Sequence, residues 1–393
     1  MQTSPARKLS LTRPRKLKSS NRKFNPATVC HNSWVPGQFC GALTKSAKIL
    51  IALVLCVPFA VTTSAQTTGT SPSVSQGAAL DRTLDRLEAH ADGRSSLPSG
   101  RPFAVNITVN CSQPAPPLGS LTAALAVLNP NAVNTIHVSG NCHENVSIQG
   151  FENLTIIANS GASISDASSG QLDVIDVGDT REFSLQGFAI NGGAIGVACF
   201  DNSLCRLSGN TVQGSAGDGV LLSRARANFQ GDSFQNNAGR GLAVINGGLA
   251  LISGVTVQGN GAAGTIANAG GRIIAVNLTS RNNGGAGIRI ANHSTLRLTD
   301  STVSGNGGSG VRLDGGSEAL FDIVAIGNTI TGNGTNGVTL FDLSFVSFNG
   351  ADNITGNNLS NPGGVDVSCG PQFSATRGAL TSIGGGTTNC VEP

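Results

Sequence analysis

Aromatic and cationic side chains are scarce in this sequence. It has 393 residues but no tyrosine, one tryptophan (Trp34) and one methionine (Met1). No lysine occurs after Lys48. Clefts that process sugars usually present tyrosine or tryptophan, whose flat faces stack on the sugar and whose polar tips form hydrogen bonds. Their scarcity argues against an enzyme with an aromatic sugar cleft, and beyond residue 48 a catalytic lysine is excluded.

Acidic residues are missing from the front of the chain. Ten of the 25 basic residues precede position 49, whereas the first acidic residue is Asp81. Beyond Lys48 the chain has 15 arginines and all 22 acidic residues, a net charge of −7, although the whole chain is formally +3. A basic surface is the electrostatic footprint of nucleic-acid binding. The acidic main part of the chain therefore excludes nucleic acid as a natural partner.

The basic front end leads into an apolar run. Residues 49–61 read ILIALVLCVPFAV, follow Lys45 and Lys48, and precede small residues that end at Ala65. A basic segment, an apolar stretch of this length and a small-x-Ala end are typical of a secretory signal peptide. We predict a signal peptide over 1–65, and hence a secreted, periplasmic or cell-surface protein without a stable membrane span. A membrane anchor is the alternative, but a span needs about 20 apolar residues.

Two further regions follow the predicted cleavage point. Residues 66–102 are rich in Ser, Thr, Gly and Pro, which predicts a flexible linker. Within it, Leu80, Leu84 and Leu87 lie at helical spacing and predict a short helix. Residues 103–393 form the predicted folded domain.

Six cysteines remain after the predicted signal peptide, an even number that is typical of an oxidising compartment. They form three local groups, and nearest neighbours in the chain are the pairing we predict out of fifteen connectivities. No group has the spacing of metal ligands, so neither a metal nor another cofactor is expected. The predicted disulfides are Cys111–Cys142, Cys199–Cys205 and Cys369–Cys390.

A repeat is the strongest signal in the chain. A glycine, usually followed by a branched aliphatic residue, recurs at intervals of 23, 22, 23, 23, 23, 27 and 27 residues. Such a period predicts a solenoid, and short Val/Ile-rich strands without a helical segment favour a parallel β-helix with coils about 4.8 Å apart. The longer intervals predict four-residue loops at the surface. These anchor glycines are Gly196, Gly219, Gly241, Gly264, Gly287, Gly310, Gly337 and Gly364.

An asparagine stands four residues before five consecutive anchor glycines, and Ser215 takes that place one repeat earlier. Glycine and asparagine tolerate a left-handed backbone, which we expect at the tight corners between strands. Stacked asparagines can also join their amides into a ladder along the axis. The residue after each anchor glycine is expected to point inward. The predicted ladder is Asn237, Asn260, Asn283, Asn306 and Asn333.

With this Gly-Asn-x-x-x-Gly-Val unit, the chain resembles the right-handed parallel β-helix superfamily, the pectate-lyase-like fold. The resemblance covers roughly 103–393 and implies an all-β solenoid of about 23 residues per coil. It also implies that the helical segment 120–128 caps the N-terminal end of the coils. The fold hosts lyases, hydrolases, epimerases and inert scaffolds, so it indicates little about function.

Catalytic motifs of that superfamily are missing. The polygalacturonase-like motifs, the alginate epimerase signature and the calcium-binding repeats are all absent from the sequence. Glycosidase chemistry needs two carboxylates about 5–10 Å apart. Asp314, Asp322 and Asp342 fall in two adjacent coils and are the candidate acids, although solvated loop acids are the more ordinary interpretation.

A second candidate site comes from aligning the repeats. The residue two after each anchor glycine is expected to point outward, because strand side chains alternate. Arg289 and Arg312 then become vertical neighbours that can grip a carboxylate or sulfate. The alternative is an arginine pair neutralised by neighbouring acids. The predicted ligand-binding set is Arg289, Arg312, His293, Arg297 and Asp366.

Two hypotheses about function follow. The first is a secreted β-solenoid that acts as a non-catalytic binding or structural module and associates with polysaccharide or cell-surface glycan. The second is a polysaccharide lyase or hydrolase acting on acidic, uronate-containing glycans, with the three candidate acids as its catalytic groups and the arginines as substrate clamps.

Overall fold

The computed structural model shows a solenoid in which each complete coil contributes one strand to each of three parallel sheets. The predicted signal peptide and linker lie outside the residues that the structure describes. Strands are numbered here in chain order. The described residues are 104–113, 119–360, 364–370, 375–377 (backbone) and 383–391.

Each sheet runs the length of the solenoid, and each strand pairs with its counterpart one coil on. Sheet 1 has twelve strands: β1 (Val105–Asn110), β2 (Val133–Ser139), β5 (Asn153–Ala158), β8 (Phe183–Gln186), β11 (Leu204–Ser208), β14 (Arg226–Gln230), β17 (Leu249–Ser253), β20 (Arg272–Val276), β23 (Thr295–Thr299), β26 (Glu318–Asp322), β29 (Phe345–Phe348) and β32 (Ala375–Arg377).

The other two sheets have ten strands each. Sheet 2 consists of β4 (Val146–Gln149), β7 (Ile175–Gly178), β10 (Val197–Phe200), β13 (Val220–Ser223), β16 (Leu242–Ile245), β19 (Thr265–Asn268), β22 (Ile288–Ala291), β25 (Val311–Asp314), β28 (Val338–Leu340) and β31 (Val367–Cys369). Sheet 3 consists of β3 (Asn141–His143), β6 (Ser163–Ser165), β9 (Ala189–Asn191), β12 (Thr211–Gln213), β15 (Ser233–Gln235), β18 (Thr256–Gln258), β21 (Thr279–Arg281), β24 (Thr302–Ser304), β27 (Thr329–Thr331) and β30 (Asn353–Thr355).

The core is a set of stacked inward columns. The residue after each anchor glycine from Gly196 to Gly337 is fully buried, as the repeat predicts. Glycine is needed at these positions because atoms of the next coil lie very close to its Cα. A Cβ on Gly264 would lie 2.6 Å from both the backbone carbonyl oxygen of Gly287 and the side-chain nitrogen Nδ2 of Asn283. The buried column is Val197, Val220, Leu242, Thr265, Ile288, Val311 and Val338.

The asparagine ladder is present, and it is longer than the sequence indicates. Each side-chain amide donates to the side-chain oxygen of the next asparagine, as from Asn260 to Asn283 at 2.9 Å. The ladder continues from Asn333 through Asn357 (2.8 Å) to the carboxylate of Asp366 (3.1 Å). Every member from Asn237 to Asn333 is buried, and each backbone N–H also donates to the next side chain.

The left-handed residues at the corners lie one position away from the ladder asparagines, contrary to the expectation from the sequence. The ladder asparagines do not have positive φ, and neither do the anchor glycines. The left-handed residue is instead the one before each ladder asparagine, such as Asn282 (φ 53°) or Gly305 (φ 64°). The asparagine is therefore required for its buried amide, and the backbone reversal is made one residue earlier.

A helix covers the N-terminal end of the coils, as expected. Helix α1 (Leu121–Val127) begins after Ser120, whose hydroxyl accepts from the Ala123 N–H. The carboxylate of Glu144 accepts hydrogen bonds from the Leu121 and Thr122 N–H groups, which orients the helix on the first coils. Among the described residues, no helix is both long and apolar enough to cross a membrane.

All three predicted disulfides form: Cys111–Cys142, Cys199–Cys205 and Cys369–Cys390. Disulfides persist in oxidising surroundings, so the folded chain fits an extracellular or periplasmic setting. Their sequence separations are 31, 6 and 21 residues. Each disulfide therefore links residues that are close in the chain, and the three sheets provide the long-range order of the solenoid.

The first of the longer coils contains a surface loop, 323–327, between β26 and β27. The Asp300 carboxylate accepts hydrogen bonds from the backbone N–H groups of Val324, Ala325, Ile326 and Gly327. The loop is therefore held against the preceding corner, and the solenoid continues in register beyond it.

Candidate functional site

Arg289 and Arg312 lie side by side on the outer face of sheet 2. They occupy the second position of β22 and β25, and the two strands pair with Arg289 directly opposite Arg312. Because strand side chains alternate, both guanidinium groups project away from the core. Their side chains are 44% and 45% exposed, so both are accessible to a ligand.

One carboxylate lies between the two arginines. Asp314 Oδ2 accepts from Arg289 Nε at 3.2 Å and from Arg312 Nε at 3.1 Å. The Asp314 side chain is only 12% exposed, much less than either arginine. Two positive charges and one negative charge make this cluster positive by one unit. We call it the Arg289–Arg312 cluster.

Phe341 completes the cluster on the side of the next coil. The guanidinium carbon of Arg312 lies 5.1 Å from the centroid of the Phe341 ring, within the range of a cation–π interaction. The Phe341 ring and the Asp314 carboxylate together restrict the conformations of the Arg312 side chain. The sequence did not single out Phe341. It directly follows β28, one coil after Asp314, and this position was the available signal.

The outward column around the cluster is otherwise uncharged. Leu221, Ala243 and Ile266 precede Arg289 in register, and Thr339 follows Arg312. Thr339 is buried and its hydroxyl lies 2.8 Å from that of Ser309. The cluster is therefore a charged site next to an apolar strip of sheet 2 that consists of Leu221, Ala243 and Ile266.

Asp366 is not part of this outward column, contrary to the alignment of the repeats. Ser368 stands opposite Thr339, because Val367 and not Val365 pairs with Val338. The last coil has two residues more than the alignment allowed. Asp366 is buried and accepts from Asn357 and Thr387 instead. Burial raises the pKa of its carboxyl, but these hydrogen bonds outweigh burial and lower that pKa below 3.8.

The other predicted site residues lie elsewhere. Arg297 pairs with Asp322 on sheet 1, with 3.1 Å between Arg297 Nε and Asp322 Oδ2. His293 and Asp342 occupy left-handed positions in the corner between sheets 2 and 1. The three candidate acids thus lie on sheet 2, on sheet 1 and in the corner, and two of them are paired with arginine.

One group of possible metal ligands occurs among the described residues. It consists of Cys111, Cys142 and Glu144. Both sulfur atoms are in a disulfide, and the carboxylate is bonded to the N-terminus of α1. The donor atoms of this group are therefore already engaged within the protein.

Two buried acids were not singled out by the sequence. Burial raises the pKa of Asp232 to about 7, against hydrogen bonds from Asn210 and Gln230 that lower it. Burial also raises the pKa of Asp352. Both acids lie at the corner between sheets 1 and 3. The Asn210 side-chain amide donates to Asp232, and the Asn328 side-chain amide donates to Asp352. Repeat alignment places these four residues in one column, which was the available signal.

Comparisons with known proteins agree on the fold. Residues 195–358 match the family described as "Right handed beta helix region". Pectate lyase Pel9A is similar in structure, with a TM-score of 0.51 and 14% identity over 71% of this chain and 82% of that one. The A-module of the Azotobacter vinelandii mannuronan C-5 epimerase AlgE4 has a TM-score of 0.47 and 14% identity over 65% and 88%. The comparison with curated proteins gave no match.

The sequence period, the sheet topology, the family match and the likeness to pectate lyase Pel9A lead to the same assignment. The chain has a right-handed parallel β-helix fold.

Proposed function

We propose that the protein is an exported, non-catalytic module that binds acidic glycans, and that the Arg289–Arg312 cluster holds a glycan carboxylate. The observation that carries this proposal is the shared Asp314 carboxylate, because it orders two half-exposed guanidinium groups and leaves one positive charge uncompensated. Arginine donates in a planar fork that matches a carboxylate. An incoming uronate therefore meets donors that are already in place.

The positions of the acids support binding over catalysis. Asp314 is held by two arginines, and Asp322 is held by Arg297 on a different sheet. A hydrolase needs two carboxylates facing one bond. Two of the three candidate acids are thus engaged by arginine on different sheets, which favours binding over hydrolysis.

Binding of polygalacturonate and alginate to the purified protein tests the proposal. Arg289→Gln with Arg312→Gln should weaken binding about tenfold or more, since each charge-assisted hydrogen bond contributes about 1.5–3 kcal/mol. Arg272→Gln, an exposed arginine on sheet 1, is the matched control and should leave binding unchanged. Equal binding by the double variant would contradict the proposal.

The rival hypothesis, a lyase or hydrolase, is tested on the same samples. Incubation with each glycan should produce neither unsaturated ends nor new reducing ends. Turnover that Asp314→Ala abolishes would replace the binding module with an enzyme. Export is tested separately, by N-terminal sequencing of the protein recovered outside the cytoplasm, where the expected first residue is Gln66.

A further inference from the structure

Sheet 3 presents a second regular outer face, formed by the first and third residues of each strand from β9 to β30. The first column is Ala189, Thr211, Ser233, Thr256, Thr279, Thr302, Thr329 and Asn353. The second column is Asn191, Gln213, Gln235, Gln258, Arg281, Ser304, Thr331 and Thr355. We call these sixteen positions the sheet 3 face.

The sheet 3 face differs in chemistry from the other two outer faces. Arg281 is its one charged residue, and Ala189 its one apolar residue. Over the same coils, sheet 1 carries Arg226, Arg272, Arg297, Glu318 and Asp322, and sheet 2 carries the Arg289–Arg312 cluster and an apolar strip. Solubility alone does not account for this difference, because charged residues on the other faces serve it equally well.

The second column of the sheet 3 face is ordered before any ligand arrives. Gln213 donates to Asn191 at 2.9 Å, Gln235 to Gln213 at 3.0 Å, and Gln258 to Gln235 at 2.8 Å. Arg281 Nε then donates to Gln258 at 2.8 Å. Side chains fixed in this way lose little further entropy on binding. Each glutamine amide retains a second N–H, and the oxygens of Gln213 and Gln258 retain a second lone pair, whereas the Gln235 oxygen also accepts from Ser233.

The border between the sheet 3 face and sheet 1 is open over three coils. The corner residues next to its strands include Gly209, Gly231 and Gly254, and a Cβ at any of the three would meet no atom within 4 Å. Among the described residues, the face is therefore open along its border with sheet 1 from β12 to β18, and loop 323–327 lies on the same border at β27. The eight strands of the face, spaced about 4.8 Å apart, extend over roughly 34 Å.

We propose that the sheet 3 face binds the flat surface of an insoluble, uncharged polysaccharide. The face offers hydroxyl and amide groups that both donate and accept, which suits sugar hydroxyls, and it lacks the charge that would select an ionic ligand. Each such hydrogen bond contributes little in water, so many must form together. A rigid polysaccharide surface has already lost its chain entropy, whereas a soluble oligosaccharide would have to lose it on a face without aromatic rings.

Co-sedimentation with microcrystalline cellulose and with chitin particles tests this proposal. The wild-type protein should pellet with at least one of them. The combined substitution Thr279→Val, Thr302→Val and Thr329→Val keeps the β-branched shape, removes three hydroxyls and should weaken binding about tenfold or more. The matched control replaces Thr135, Thr155 and Thr295, outward threonines of sheet 1 that are partly exposed like Thr279 and Thr329, by valine and should pellet like wild type.

Other outcomes are decisive as well. Failure of the wild type to pellet with either particle, or equal pelleting by the sheet 3 variant, overturns the proposal, as does shaping of ice crystals without polysaccharide binding. If the triple variant does not fold, Thr302→Lys at an exposed position should reduce pelleting while Thr295→Lys does not. The double Arg→Gln variant of sheet 2 should still pellet, which separates this face from the acidic-glycan site.

Discussion

Thr265 is the one polar residue in the inward column of sheet 2. Its side chain is fully buried, and its hydroxyl has no hydrogen-bond partner. A buried hydroxyl without a partner costs about 1–3 kcal/mol, while valine has nearly the same shape. Thr265→Val should therefore raise the free energy of unfolding by about 1 kcal/mol, measured by urea denaturation.

The control for this prediction is Thr339→Val, since the Thr339 hydroxyl lies 2.8 Å from the Ser309 hydroxyl and the substitution should destabilise. Loss of stability in both variants would mean that the Thr265 hydroxyl is satisfied in solution.

Asp232 makes stability depend on pH. Its folded pKa is about 7 against an ordinary 3.8, with burial as the main cause. A carboxyl whose pKa is raised on folding stabilises the protein fully below about pH 4, and this contribution is lost as the pH rises through about 7. The loss is on the order of a few kcal/mol.

Asp232→Asn should remove this part of the pH dependence. The Asn210 side-chain amide donates to the Leu185 carbonyl one coil earlier. Leu207 is the counterpart of Leu185 in the next coil, so the new amide at position 232 can donate to the Leu207 carbonyl in the same way. Urea denaturation at pH 4.5 and pH 8 should show a smaller fall in stability for the variant than for wild type. Asp201→Asn, on an exposed ion pair with Arg224, serves as the control and should keep the wild-type fall.

The asparagine ladder has a direction, and that direction explains how it ends. Every amide from Asn237 onward donates toward the C-terminal end, so the last member has to accept without donating. Asp366 meets this requirement, and it also accepts from Thr387 in the tail. The ladder is thus joined to the segment that covers the last coil.

The Cys369–Cys390 disulfide holds that same segment against β31. Asn389 adds a hydrogen bond from the Cys369 N–H at 2.8 Å, and its own N–H donates to Val367. Reduction of this bond, or Cys369→Ser, should therefore increase amide hydrogen exchange at 364–370 and 383–391 before it affects the middle coils. Unchanged exchange at these residues after reduction would show that the hydrogen bonds alone hold the tail.

At the scale of the whole molecule, the solenoid separates two chemistries onto two faces. The sheet 2 site has a net positive charge, whereas the sheet 3 face is nearly neutral. Salt screens exposed charges over about 8–10 Å at physiological ionic strength. Raising NaCl from 50 to 500 mM should therefore weaken binding to polygalacturonate severalfold and leave pelleting with cellulose or chitin nearly unchanged. Equal loss of both would assign both activities to the charged site.

The repeated features of the fold were predictable from the sequence because the same residue types recur at the same position in successive coils. The inward column, the members Asn237 to Asn333 of the ladder and the three local disulfides follow from spacing and residue type alone. The last coil was misaligned at Asp366, because the loop before β31 breaks the period and nothing local marks where the strand resumes.

Sequence periodicity was sufficient for the coil, the buried column and the vertical neighbours Arg289 and Arg312, since each depends on residues at a constant separation. The tertiary structure decided which carboxylate the arginines share, where the left-handed corners fall and how the sheet 3 side chains bond to one another, because these depend on side-chain directions and on contacts between coils. A chain poor in tyrosine, tryptophan and lysine thus presents arginine on one face and hydroxyl and amide groups on another.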